Sequence, residues 1–175
     1  PYFDFDNEAF GRLGVRALAE RGRKRLSLVA PPRSHTYSRH MTYGFSDEAA
    51  LMGLPFEVAE TVTSDSGGEA VEAAIAAGFA LPNPPDGILV GSTTAAMATI
   101  AGAEGSGRVL GRDFAVVAKE AIAVLRRFRQ DILIVREDVG RAGEFLAHAL
   151  VAQIEKRDWA DRQGLEVPVK VEPGR

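Results

Sequence analysis

Apolar positions along this chain follow two alternating rhythms, short unbroken runs and repeats of three to four residues, which predict strands and helices in turn. Pro1–Phe5 reads as an aromatic-rich strand. Asp6 is a good capping residue, Phe10, Leu13, Ala17 and Leu18 then share one helical face, and Gly22 stands where that helix stops. Leu26–Ala30 is the next run, short and apolar as in a buried parallel strand. A polar loop at Pro31–Ser38 leads to a helix from about His40 to Met52, closed by Gly53, and to a strand at Phe56–Val62. A helix over roughly Glu69–Ala77 precedes the breaker Pro82-Asn83-Pro84-Pro85 and the strand Gly87–Val90. Ser92 caps an Ala/Met-rich helix running to about Ala101, and strands follow at Phe114–Ala118 and Ile132–Val135. Asp138 caps the longest helix, with Val139, Ala142, Leu146, Ala149, Leu150 and Ile154 at helical spacing, and Val167–Val171 reads as a terminal strand.

Strands alternating with helices of this length imply right-handed βαβ units, hence an α/β fold with parallel sheet covered by helices on both faces. In such a sheet a ligand sits beyond the carboxyl ends of the strands. Those positions hold Asp4 and Asp6, then Arg33, Ser34, His35, Tyr37 and Arg39, then Thr63, Ser64 and Asp65. The later strands add Ser92, Thr93 and Thr94, and finally Lys119 and Glu120. Hydroxyls, carboxylates and guanidinium groups in this mixture suit a polyol, whose hydroxyls donate and accept, while Tyr37 could cover an apolar ring face. The plain alternative is that many of them are loop caps and surface residues.

Composition narrows the chemistry. The 175 residues are 46% hydrophobic and 26% charged, enough for a packed core. The longest apolar runs are far too short to cross a bilayer and no signal sequence opens the chain, so a soluble protein without a membrane partner is expected. The absence of cysteine removes disulfides, thiolate nucleophiles and cysteine metal sites and fits a cytoplasmic location. A net charge of −3 argues against nucleic-acid binding by this segment itself. His35, His40 and His148 lack a metal-ligand spacing, so neither metal nor other cofactor is expected.

Other motifs read as structural. Gly91-Ser92-Thr93-Thr94 stands at a strand-to-helix turn but lacks the second glycine of a nucleophile elbow, and Ser92 reads as a helix cap. No catalytic residue is assigned, and an α/β hydrolase has little support. The glycines of Gly102–Gly107 follow a helix rather than a strand, which makes a loop and not a phosphate cradle. Arg126-Arg127-Phe128-Arg129 reads as a solvated or subunit-facing patch.

Several spaced motifs together resemble one family. Phe5-Asp6-Asn7 is followed by Gly11, Leu18, Gly22 and Arg25-Leu26-Ser27-Leu28-Val29, and later come Arg39 with Gly44-Phe45 and then Gly53-Leu54. Pro85-Asp86-Gly87-Ile88, Gly111-Arg112-Asp113-Phe114, and Val135 with Asp138 and Gly143 complete the series, before a Val-Pro-Val at Val167–Val169. In this order they resemble the effector-binding, periplasmic-binding-protein-like domain of LacI-type transcriptional regulators. The resemblance implies two α/β subdomains joined by crossing strands, effector in the cleft, a homodimer, and operator DNA bound through a helix-turn-helix domain absent from this chain. It assigns residues 7–120 and about 160–175 to the carboxyl-terminal subdomain, and 1–6 and about 121–159 to a remnant of the other with its crossings. The abrupt start at Pro1 then reads as a truncation.

By the same resemblance Asp6 falls at the hinge aspartate and Arg39 at an effector-contacting arginine. Ser92-Thr93 replaces the family's Asn-Asp, and Ala118-Lys119-Glu120 replaces its Gly-Phe/Tyr-Asp. With a carboxylate lost at Thr93 and a cation gained at Lys119, an acidic sugar stands beside a neutral one as expected effector. The expected ligand-binding set is Asp6, Arg33, His35, Tyr37, Arg39, Thr63, Ser92, Thr93, Lys119 and Glu120. A sugar-binding protein of a transport system, which shares the two-lobed fold, is the alternative function.

Overall fold

The structure, a computed structural model, describes residues 1–158 and 161–173. Strands are β1 (Tyr2–Phe5), β2 (Leu26–Val29), β3 (Phe56–Val58), β4 (Gly87–Val90), β5 (Ala115–Glu120), β6 (Leu133–Arg136), β7 (Gln163–Glu166) and β8 (Glu172–Pro173). Helices are α1 (Asn7–Glu20), α2 (Thr36–Leu51), α3 (Gly68–Phe79), α4 (Thr93–Gly105), α5 (Leu125–Phe128) and α6 (Val139–Ile154). Six strands form one sheet in the order β3-β2-β4-β5-β6-β8, parallel except for β8, which runs antiparallel to β6. β1 and β7 pair in parallel as a separate two-stranded sheet, and α6 packs against β1.

Successive side chains of a strand face opposite sides of a sheet, and both sides here are buried. Leu28, Leu89, Val117, Leu133 and Val135 face α1 and α2, meeting Phe10, Leu18, Met41 and Phe45. Val29, Ile88, Val90, Val116, Ala118 and Ile134 face α3 and α4, meeting Val71, Ile75, Phe79 and Ile100. The central strands are therefore apolar on both faces for most of their length, with Ser27 inside β2 and polar residues at the ends of β5 and β6, which is why they stand out in the sequence.

Four expectations are corrected. α2 begins at Thr36 rather than near His40, because His35 N–H bonds to the Pro32 carbonyl and the Ser38 hydroxyl to that of Pro31, 2.7 Å away, folding the supposed loop into the first turn. β3 ends at Val58 instead of Val62, since it is an edge strand and its ladder to β2 ends at Leu28. Val167–Val171 is not a strand; Pro168 lacks an N–H to donate, and the chain crosses there from β7 to β8. The sheet also does not end at Glu120, because β6 pairs with β5 from Val117↔Leu133 to Glu120↔Arg136, placing residues 133–136 with the strands before them. Of the segment from about 159 onward, Trp159, Ala160, Gly174 and Arg175 lie outside the described residues.

Candidate ligand-binding site

The carboxyl ends of β2 and β3, the first turn of α1 and the first three turns of α2 bound an open cavity of about 1100 Å³. Ala30, Pro31, Val58 and Ala59 give it apolar walls, and α2 contributes a polar stripe at Arg39, Thr42, Tyr43 and Ser46, spaced as one helical face. Glu8 enters from α1, His40 from α2, and Arg33, Glu60 and Thr63 from the loops. Of the expected site residues the cavity thus brings together Arg33, Arg39 and Thr63.

Arg33 and Arg39 are exposed at this cavity, and neither has a hydrogen-bond or ion-pair partner among the described residues. Thr63 is held by its neighbour: its N–H donates to Ser66 Oγ at 2.9 Å and the two hydroxyls are 3.1 Å apart. Glu8 accepts from Arg12 Nη2 at 2.9 Å, sharing that guanidinium with Asp47.

The remaining expected residues lie outside this cavity and are engaged in other ways. Asp6 caps α1, its Oδ1 accepting from Ala9 N–H at 2.8 Å. His35 and Tyr37 stack with ring centroids 5.0 Å apart and share a hydrogen bond of 3.0 Å. Burial, and then the negative charges of Asp65 and Glu137, raise the Tyr37 phenol above its ordinary pKa. Ser92 is the cap of α4, accepting from Ala95 N–H at 3.2 Å and donating to the Ser64 carbonyl at 3.2 Å. Thr93 Oγ1 donates to the Lys119 carbonyl at 3.1 Å.

Lys119 and Glu120 end β5 in different surroundings. The Lys119 ammonium pairs with Glu137, donates to Asn7 Oδ1 at 2.7 Å, and lies 5.4 Å from the centroid of the Phe10 ring. Glu120 is 1% exposed, and its Oε1 accepts from the N–H groups of Val124 and Leu125, both at 2.6 Å, tying down the start of α5.

Thr42, Tyr43, Ser46 and Glu60 were absent from the expected set. The signal that could have found the first three is the helical repeat from Arg39, polar on the side opposite buried Met41, Phe45 and Ala49. Glu60 carries no comparable signal, because only the early end of β3 turns it toward the cavity. Among the described residues no group of three or more His, Cys, Asp or Glu side chains could hold a metal ion, and no helix is long and apolar enough to cross a membrane.

Comparisons with known proteins agree with this geometry. The profile of the periplasmic binding protein-like domain matches residues 15–175. An uncharacterised helix-turn-helix-type transcriptional regulator from the aml 5′ region of Streptomyces limosus is 28% identical over 160 residues, covering 88% of this chain and 44% of the relative. A regulatory protein of the LacI family from Chloroflexus aggregans superposes with a TM-score of 0.86 at 22% identity, over 98% of this chain and 62% of its own. A LacI-family regulator from Arthrobacter sp. FB24, solved in complex with lactose, gives 0.78 at 18% identity, over 99% and 66%. The chain therefore spans less than half of the curated relative and under two thirds of these two solved structures. With a family profile covering nearly its whole length and two packed faces around a mostly parallel sheet, the chain belongs to the periplasmic binding protein-like domain family.

Proposed function

We propose that this chain is the effector-sensing part of a LacI-type transcriptional regulator, which binds a sugar or related polar small molecule and makes or breaks no bond. The observation that carries this is the open cavity at the carboxyl ends of β2 and β3, with Arg39 unpartnered on its wall. A preformed concave site with apolar walls and a few free polar groups is built for binding. The lactose held by the Arthrobacter regulator supports a sugar as ligand class. Arg33, Arg39 and Thr63, with Thr42, Tyr43 and Ser46, form the contact set. Asp6, His35, Tyr37, Ser92, Thr93, Lys119 and Glu120 hold the surrounding loops and connections in place.

The same proposal covers the rest of the mechanism. β1, α6 and β7 are the portion of a second lobe present in this chain, and the connections at Asp6, Glu137 and Glu166 are the crossings about which the lobes turn. Those crossings are tied together: Asp6 N–H donates to the Glu166 carbonyl at 2.8 Å, and Asp138 N–H to Glu166 Oε1 at 3.1 Å. Ligand binding shifts the lobe angle only through its differential affinity for the two arrangements, with about 5.5 kcal/mol needed for a near-complete shift. The regulator acts as a cytoplasmic homodimer on operator DNA through a separate helix-turn-helix domain. The full-length gene product, screened by thermal shift against mono- and disaccharides and sugar acids, is expected to be stabilised by at least one, with that compound recovered unchanged. Light scattering is expected to give twice the chain mass. Turnover of the stabilising compound, or a monomer at micromolar concentration, would contradict the proposal.

A further inference from the structure

Among the described residues the unpaired guanidinium groups of the cavity outnumber its unpaired carboxylates, while Thr42, Tyr43 and Ser46 add hydroxyls that both donate and accept. Arg33 and Arg39 present guanidinium groups with no partner among the described residues. The carboxylates near this end of the sheet are mostly committed to the protein itself. Glu8 accepts from Arg12, Asp6 from Ala9 N–H, Asp65 from the Ser64 hydroxyl at 2.8 Å, and Glu120 from the start of α5, while Glu137 pairs with Lys119. Glu60, exposed at the rim, is the cavity-lining carboxylate with no such engagement among the described residues. Because Glu137 and Asn7 answer the Lys119 ammonium, the cation that marked this chain in its sequence is not the free one.

A neutral sugar brings no charge to answer two unpaired guanidinium groups, and the hydroxyls of Thr42, Tyr43 and Ser46 serve a neutral and a charged ring alike. Carboxylate and phosphoryl oxygens only accept, and a guanidinium matches them with two parallel bonds. The first turn of α2, where Arg39 stands, carries no acidic residue that would oppose a negative charge. We infer that the ligand of this cavity is anionic, a sugar derivative bearing a carboxylate or a phosphate, with Arg33 and Arg39 holding the charged group and the apolar wall at Pro31 and Val58 covering its carbon face. This rests on the effector-binding function proposed above and narrows the class of effector.

The test is calorimetric titration of the full-length protein with matched sets of one ring: the neutral hexose, its uronic acid and its phosphate ester, for several hexoses. Inorganic phosphate is the ring-free probe, measured at constant ionic strength. A charged member is expected to bind at least tenfold more tightly than its neutral counterpart, the uronate and phosphate arms showing which anion is favoured. Arg33→Ala and Arg39→Ala are each expected to remove most of that preference while leaving the unliganded melting temperature unchanged, since both side chains are exposed. A neutral hexose binding as tightly as its charged partners would overturn the inference and leave the effector function standing. Charged binding indifferent to both substitutions, or no binding by any charged probe, would also overturn it. Failure of every sugar, neutral or charged, would remove the effector function with it.

Discussion

Glu48 lies buried between α1 and α2, where Arg16 Nε donates to its Oε1 at 2.7 Å and Arg12 stands 3.7 Å from its Oε2. The hydrogen bond from Arg16 is the largest of the effects that hold the carboxyl below its ordinary pKa, outweighing the cost of burial. A group whose pKa is depressed by folding stabilises the fold above its unfolded value, near 4.5, and loses that contribution as pH falls through the lower folded value. In urea unfolding, Glu48→Gln is therefore expected to be less stable than the parent at pH 7 and to lose less further stability as pH falls below about 4.5. Parallel pH dependences of the two proteins would refute this role. The same scale explains what was and was not legible in the site. Residue types at strand ends are visible in a sequence, and three of those expected there, Arg33, Arg39 and Thr63, line one cavity. Whether an oxygen is free is not visible: Ser92 and Asp6 spend theirs on helix N–H groups, and Glu120 on the start of α5, contacts that exist only once the backbone is folded.

The pair α1 and α2 sets the wall of the cavity, and two glycines let these helices touch. A Cβ on Gly44 would stand 2.1 Å from the Glu8 carbonyl oxygen, and one on Gly11 would stand 2.6 Å from that of Met41. Both glycines belong to the family-like pattern in the sequence, and their role is close backbone approach. Gly44→Ala must push the start of α1 away, an overpacking that costs about 1–3 kcal/mol and shifts Glu8 at the cavity edge. Denaturant unfolding is the check, and an unchanged midpoint at unchanged slope would contradict the packing. Elements with strong periodicity or full burial, such as α1, α4, β4 and β5, were legible because tertiary structure reinforces their local pattern. The start of α2 was hidden by Pro31, Pro32 and a run of hydroxyls that suit a loop equally well, and it has no side-chain cap to announce it. β7 was hidden because Gln163–Glu166 is polar and half exposed, while the more apolar Val167–Val171 beside it is a crossing segment. α5 is one turn long, too short for any period to show.

At the scale of the molecule, the six-stranded sheet is rigid by construction, with apolar cores on both faces, whereas β1, α6 and β7 attach through three connections. Lys119 links two of these connections, bonding Asn7 after β1 and pairing with Glu137 after β6. The α/β class follows from the order of strands and helices. The point at which the chain leaves the sheet does not, because it depends on β6 choosing β5 as its neighbour. Under the proposed function, a cavity on the sheet next to these connections reports its occupancy by favouring one arrangement of β1, α6 and β7 relative to that sheet. The most direct test is the operator affinity of the full-length protein, measured at fixed salt with and without a saturating ligand of the cavity. The expected result is a change of tenfold or more, about 1.4 kcal/mol of coupling, that disappears in Arg39→Ala while ligand-free DNA affinity is retained. An operator affinity that is the same in the presence and absence of bound ligand would contradict the sensing role.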